Sequence, residues 1–196
     1  MAFKKPENID GLISNEDGKF LEDYAGAVPE GMCIVEIGPF TGKSTAFMGR
    51  GCAANNTFIY TYDLWEKNKR PISGSGKKIV QTRDESFFLF TDNMKKSGLN
   101  SRVFPLNVDS VQGATEWPED AAPIGLMYID GDHRYPGVKA DIEAWLPKVA
   151  GGAPIIFDDY YSNRGVKQAV DEWCSTTDWQ IVDHTERFVV LQEDTE

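Results

Sequence analysis

The chain has 196 residues, 41% apolar and 26% charged, a composition that sets aside a disordered class and suits one folded, soluble domain. Its formal net charge of -11 argues against nucleic acid or an anionic membrane as partner. No apolar run is long enough to span a bilayer, and the opening MAFKKPENID lacks the apolar core of a signal peptide, so a cytoplasmic compartment is expected. The three cysteines, Cys33, Cys52 and Cys174, are widely spaced and give no metal or disulfide pattern.

Residues 1–30 read as an N-terminal helical extension, with Phe20, Leu21, Tyr24, Ala25 and Val28 on one helical stripe. MCIVEI follows as a buried strand, and Ser44 to Ala53 as a short helix. Thr57 to Asp63 is a second strand. The stretch from Asn68 to Lys78 is basic and rich in Gly and Ser, as a lid over a site would be. Phe87, Phe90 and Met94 mark a helix over Ser86 to Ser97, stopped by Gly98. RVFPLNVD is a third strand, placed at an edge by Pro105. IGLMYID is a fourth strand, and Val138, Ile142, Trp145, Leu146 and Val149 stripe the helix after it. PIIFDD is a fifth strand, and Val166, Ala169, Val170, Trp173 and Cys174 stripe another helix. WQIVDHT and RFVVLQE close the chain as an antiparallel pair around Glu186. Apolar strands alternating with helices predict a single α/β domain over residues 1–196. It is a doubly wound, Rossmann-like fold with a mostly parallel seven-stranded sheet, helices on both faces and a C-terminal hairpin.

The segment EIGPFTGKST ends like a phosphate-binding loop, which would make the protein a nucleotide hydrolase or kinase. Its spacing is wrong, because Gly38 and Gly42 have three residues between them where that loop needs four. Glu36 at the strand tip would also repel a polyphosphate. The same features suit a ligand with a positive group and hydroxyls. Gly38 and Gly42 allow close backbone approach, and the helix start near Ser44 and Thr45 offers N–H groups to a small carboxylate. Lys43 is then a surface residue. S-adenosylmethionine carries a carboxylate, an ammonium, a sulfonium and a ribose. Asp63 ends the second strand, where such folds pair an acid with ribose hydroxyls. Asp109 and Ser110 end the third strand and could address the adenine amino group. Glu36, Asp63, Asp109 and Asp130 are therefore expected to converge at the switch point of the sheet.

VEIGPFTGKST, YTYD, LNVDS and MYIDGDHRYPGVKADIEAWLPKVAGGAPIIFDDY together resemble class I S-adenosylmethionine-dependent methyltransferases. The nearest likeness is to the small-molecule O-methyltransferase branch, with its catechol and macrolide-sugar types. It covers nearly the whole chain from the Phe20 helix onward. One departure is Phe40, which stands where the common pattern has Gly. The resemblance implies S-adenosylmethionine as cofactor, bound by Glu36, Gly38, Phe40, Gly42, Ser44, Thr45, Asp63, Trp65, Asp109, Ser110 and Asp130.

Asp130, Asp132 and His133 follow the fourth strand, and Asp158 and Asp159 follow the fifth. Crowded carboxylates repel, and a hard divalent cation such as Mg²⁺ relieves that. By position in the metal-dependent relatives, the ligands would be Asp130, Asp158 and Asp159, with Asp130 and His133 catalytic and His133 the general base. The bland alternative for His133 is a loop histidine paired with Asp132. Phe40, Trp65, Tyr135, Tyr160 and Tyr161 would frame a small hydroxylated substrate: a sugar, phenol or natural product. Substrate choice is expected from the N-terminal helix, the lid, the Tyr160 region or a second copy in a homo-oligomer. A non-catalytic S-adenosylmethionine-binding protein is the remaining alternative.

Overall fold

The computed structural model describes residues 3–65 and 83–194, so the expected lid at Asn68 to Lys78 lies outside the described residues. Seven strands form one sheet: β1 (Cys33–Ile37), β2 (Phe58–Tyr62), β3 (Val103–Leu106), β4 (Ile124–Ile129), β5 (Ile155–Phe157), β6 (Trp179–His184) and β7 (Val189–Glu193). Their order is β3-β2-β1-β4-β5-β7-β6. The first five pair in parallel, and β7 runs antiparallel to both β5 and β6. β3 is an edge, as Pro105 predicted, since a residue without an N–H is tolerated where one side needs no ladder.

β1, β4 and β5 are buried along their whole length because helices cover both faces. Side chains alternate between two cores. Val35, Ile37, Met127 and Ile129 pack under α5 (Tyr135–Trp145) and α6 (Arg164–Thr176). Ile34, Leu126 and Tyr128 pack under α1 (Asn15–Gly26), α2 (Lys43–Gly51) and α3 (Arg83–Lys96). By this alternation Glu36 falls on the same face as Ile34, beneath the start of α2.

Two features were not apparent from periodicity. α1 begins at Asn15, ahead of its apolar stripe, because Ser14 and Asp17 close a reciprocal capping box with both bonds at 3.0 Å. A six-residue helix, α4 (Ser110–Thr115), lies between β3 and β4 and is too short to show a stripe. No described helix is long and apolar enough to cross a membrane.

α1 and α2 lie close enough that Gly51, the last residue of α2, nearly touches the α1 backbone. A Cβ there would stand 2.1 Å from the Glu22 carbonyl oxygen. Helix propensity favours Ala over Gly by about 0.5–1 kcal/mol. Overpacking against rigid backbone costs about 1–3 kcal/mol and outweighs it. Gly51→Ala is therefore expected to lower the unfolding free energy in urea; an unchanged or higher midpoint would contradict this packing.

Candidate active site

The sheet order reverses between β1 and β4, and the loops leaving these strands part there. The end of β1 stays in backbone contact with the tips of both β2 and β4. The Gly38 N–H donates to the Tyr62 carbonyl at 2.9 Å, and the Asp130 N–H to the Ile37 carbonyl at 2.9 Å. Gly38 has φ +82°, and a Cβ on it would meet the Asp130 carbonyl oxygen at 2.0 Å. Both the left-handed backbone and the close approach require glycine.

Gly42, also left-handed at φ +86°, turns the chain into α2. Glu36 is 0% exposed beneath that turn. One of its oxygens accepts from the Ser44 hydroxyl, the other from the Thr45 hydroxyl at 2.5 Å. Burial pushes the Glu36 carboxyl up to about 7, partly offset by these two donors, and the nearby Asp63 charge raises it further. Glu36, Ser44 and Thr45 are thus brought together, and in this arrangement they bond to one another. Lys43 departs from the expectation of a surface residue: it is half-buried, and its ammonium donates to the Ile13 carbonyl at 2.9 Å. The Thr41 hydroxyl likewise donates to the Asp10 carbonyl at 2.5 Å. The residues that resembled a phosphate loop anchor the N-terminal segment.

Asp63, just beyond β2, is half-buried. Its carboxylate accepts from the Trp65 N–H at 2.7 Å and from the Phe40 N–H. Burial raises its pKa, and these backbone donors lower it. Phe40 and Trp65 hold positive φ, at 49° and 42°, so two strained residues present their N–H groups to one acid. No side-chain cation pairs with Asp63 among the described residues, which leaves it able to accept hydroxyls. Trp65 itself is buried, with Nε1 donating to the Phe40 carbonyl at 2.9 Å and its ring against Phe87 and Phe90.

Asp109 caps α4, accepting from the Val111 and Gln112 N–H groups at 3.0 and 3.2 Å. The Ser110 hydroxyl donates to Asp141, a buried acid of α5. Burial pushes Asp141 up to about 6 against that bond. Asp141 carries no signal in the sequence, since it sits in a helical pattern like any surface acid.

The tips of β4 and β5 hold the densest cluster. His133 Nε2 lies 3.0 Å from Asp130 Oδ1, and Nδ1 lies 3.6 Å from Asp159 Oδ2. The Asp130 bond pushes the His133 pKa up, while burial and the neighbouring Asp158 push Asp130 up. His133 does not pair with Asp132, which is held by Arg134 at 2.6 Å. Tyr128, fully buried, donates to Asp158 at 2.9 Å and reaches Asp130 at 3.4 Å. Arg187 straddles Asp158, with Nε on Oδ1 and Nη2 on Oδ2 at 2.6 Å.

That pairing bears on the expected metal site. Asp158 is 0% exposed at its side chain, and both of its oxygens are engaged by Arg187 and Tyr128. Among the described residues no group of three or more His, Cys, Asp or Glu side chains is arranged to hold an ion. The set of Asp130, Asp158 and Asp159 therefore does not fit a divalent cation in this arrangement, because a guanidinium takes its place beside Asp158.

The aromatic frame is smaller than expected. The Tyr135 hydroxyl is tied to Glu172, and the buried Tyr160 to Asp171 at 2.6 Å. Half-buried Phe40 and Tyr161, 53% exposed, stay open.

The buried Glu36 gives a pH signature. Its folded pKa lies above the ordinary value of 4.5, so this group's contribution to stability is present at low pH and lost as pH rises through about 7. Between those values the loss runs at up to about 1.4 kcal/mol per pH unit. Glu36→Gln, which stays neutral, should melt higher than the parent at pH 8 and no higher at pH 5. Parallel melting curves across that range would show that Glu36 does not titrate there.

A family model described as a methyltransferase domain matches residues 35–160. An uncharacterized protein of Acanthamoeba polyphaga mimivirus is 24% identical over 173 residues, covering 84% of this chain and 68% of the relative. An uncharacterized protein of Sinorhizobium fredii (strain NBRC 101917 / NGR234) is 25% identical over 131 residues, 64% of this chain; that match spans 13% of the relative's length. Solved structures share the fold. The O-methyltransferase from Bacillus cereus in complex with SAH superposes with a TM-score of 0.67 at 19% identity, covering 95% of this chain and 85% of that one. The O-methyltransferase TomG from Streptomyces achromogenes, involved in tomaymycin synthesis and in complex with SAM, gives 0.69 at 15% identity, covering 95% and 82%. The family match runs from β1 to just past β5 and takes in Glu36, Asp63, Asp130, His133, Asp158 and Asp159. On that match, the chain belongs to the methyltransferase-domain family.

Proposed function

We propose that this methyltransferase uses S-adenosylmethionine to methylate a hydroxyl of a small molecule, with His133 as general base. One observation carries the reading: His133, 34% exposed, is fixed at the tips of β4 and β5 by Asp130. Asp63 sits at the β2 tip in a backbone cradle with lone pairs to spare. The SAM- and SAH-bound O-methyltransferases that share the fold support the same cofactor class. Membership in a methyltransferase family, with Lys43 committed to Ile13, sets aside a nucleotide hydrolase or kinase.

The cofactor supplies an electrophilic methyl group on a positively charged sulfur. Asp63 would accept from its ribose hydroxyls. Glu36 acts at one remove, by fixing Ser44 and Thr45 at the start of α2. With Asp130 accepting from Nε2–H, the tautomer this reading requires, Nδ1 would carry the lone pair once pH exceeds the raised His133 pKa. Nδ1 would then be the nitrogen that takes the acceptor hydroxyl's proton. The protonated imidazole would be balanced by Asp130 and Asp159. The net charge of -11 favours a small acceptor over a polynucleotide. Free thiols at Cys33, Cys52 and Cys174 suit a reducing, cytoplasmic compartment.

Calorimetry should show S-adenosylhomocysteine binding and no ATP binding. Asp63→Ala should weaken the former by about tenfold or more, the size of a lost hydrogen bond to a charged group. His133→Ala should keep that affinity and slow labelled-methyl transfer to a panel of catechols and sugars by about 10²–10⁴-fold. ATP binding without S-adenosylhomocysteine binding would sink the proposal. Tight S-adenosylhomocysteine binding with no transfer to any acceptor would favour a binding protein.

A further inference from the structure

Asp130, Asp158 and Asp159 crowd one rim, yet one positive side chain already stands among them. Arg187 lies just before β7, outside the family-matched span of residues 35–160. The antiparallel register of β5 and β7, with Phe157 opposite Val189, carries it to the β5 tip. Its guanidinium grips both Asp158 oxygens and lies 3.7 Å from Asp159 Oδ1. A third nitrogen, Nη1, reaches the Leu12 carbonyl at 3.3 Å. The Arg187 side chain is 26% exposed and Asp158 is 0% exposed, so the pair is shielded from solvent on the carboxylate side. Arginine stays charged at any working pH, and its fork matches a carboxylate edge to edge.

We propose that Arg187 is the resident cation of this site, holding the position that a divalent ion would otherwise take beside Asp158 and making the centre metal-independent. A tethered guanidinium has no open coordination position for an acceptor oxygen, so it cannot bind and polarise that oxygen as a metal does. Arg187 is a positioning residue: it fixes Asp158, which with Tyr128 borders the Asp130–His133 pair. On the proposed O-methyltransferase reading, on which this step rests, hydroxyl activation falls to His133 alone.

The test is uptake of Mn²⁺, read by the loss of the free-ion paramagnetic resonance signal and by thermal shift, on the full chain. The parent protein should take up none at the site. Arg187→Ala should bind one Mn²⁺ per chain at least about tenfold more tightly than the parent, because unpaired carboxylates then attract a hard cation. Arg187→Lys, which keeps a charge, should stay metal-free, an outcome that mere loosening of the fold would not produce. Should Arg187→Ala fail to fold, Arg187→Gln carries the same expectation with the stem retained. A parent chain that binds Mn²⁺ and loses it on Asp158→Asn would overturn the inference. So would a folded, neutral Arg187 variant that gains no affinity. S-adenosylhomocysteine binding in the same preparations tests the methyltransferase reading separately, since it does not depend on Arg187 excluding a metal.

Discussion

The carboxyl edge of the sheet gathers Glu36, Asp63, Asp130, Asp158 and Asp159 within a few strand spacings, and the chain must compensate that charge to fold. It does so differently at each acid. Glu36, with no exposure, has two hydroxyl donors and no cation among the described residues, so part of the answer is protonation near neutral pH. Asp63 is held by backbone N–H groups, which stabilise the charge without using all its lone pairs. Asp130 has the His133 imidazole at 3.0 Å, and Asp158 has a full guanidinium. The deeper acids are thus satisfied internally, while Asp63 and the His133 face keep capacity for a ligand.

The positions of these acids were legible because each ends a buried apolar run, and the end of such a run in a parallel sheet is the ligand-binding edge. The alternation of strands and helices likewise gave the sheet and its closing hairpin. The partners were harder to read. Arg187 meets Asp158 across 29 positions because β7 inserts between β5 and β6. No periodicity encodes that insertion, so a cationic partner for Asp158 could not be told from a surface arginine. Asp109 illustrates the opposite case. As a strand-end acid it matched the ligand-facing pattern, yet its nearest donors are the first N–H groups of a helix too short to be seen in the sequence.

Glu36 shows why residue type and position do not fix orientation. Side chains on a strand alternate, and Val35 and Ile37 belong to the core under α5 and α6. Glu36 must therefore face α2, where Ser44 and Thr45 follow Gly42 by helical geometry. An exposed carboxylate waiting for an ammonium and a buried one strapping a helix start have the same sequence signature. The pattern Glu-x₇-Ser-Thr selects between them only after the strand's face is known. Buried this way, the acid shapes the turn that Gly38 and Gly42 make possible.

Phe40 marks the clearest departure from the family pattern, yet the backbone departs little from what Gly would permit. Phe40 keeps φ at +49°, a conformation that Gly takes freely and other residues enter at a cost of about 1–3 kcal/mol. Neighbouring contacts hold it there: its carbonyl accepts from Trp65 Nε1, and its N–H donates to Asp63. Trp65 is itself left-handed and donates its own N–H to Asp63, so the two strained residues and the acid form one closed set. Asp63 is therefore aimed by residues whose strain is tolerated only because they bind it.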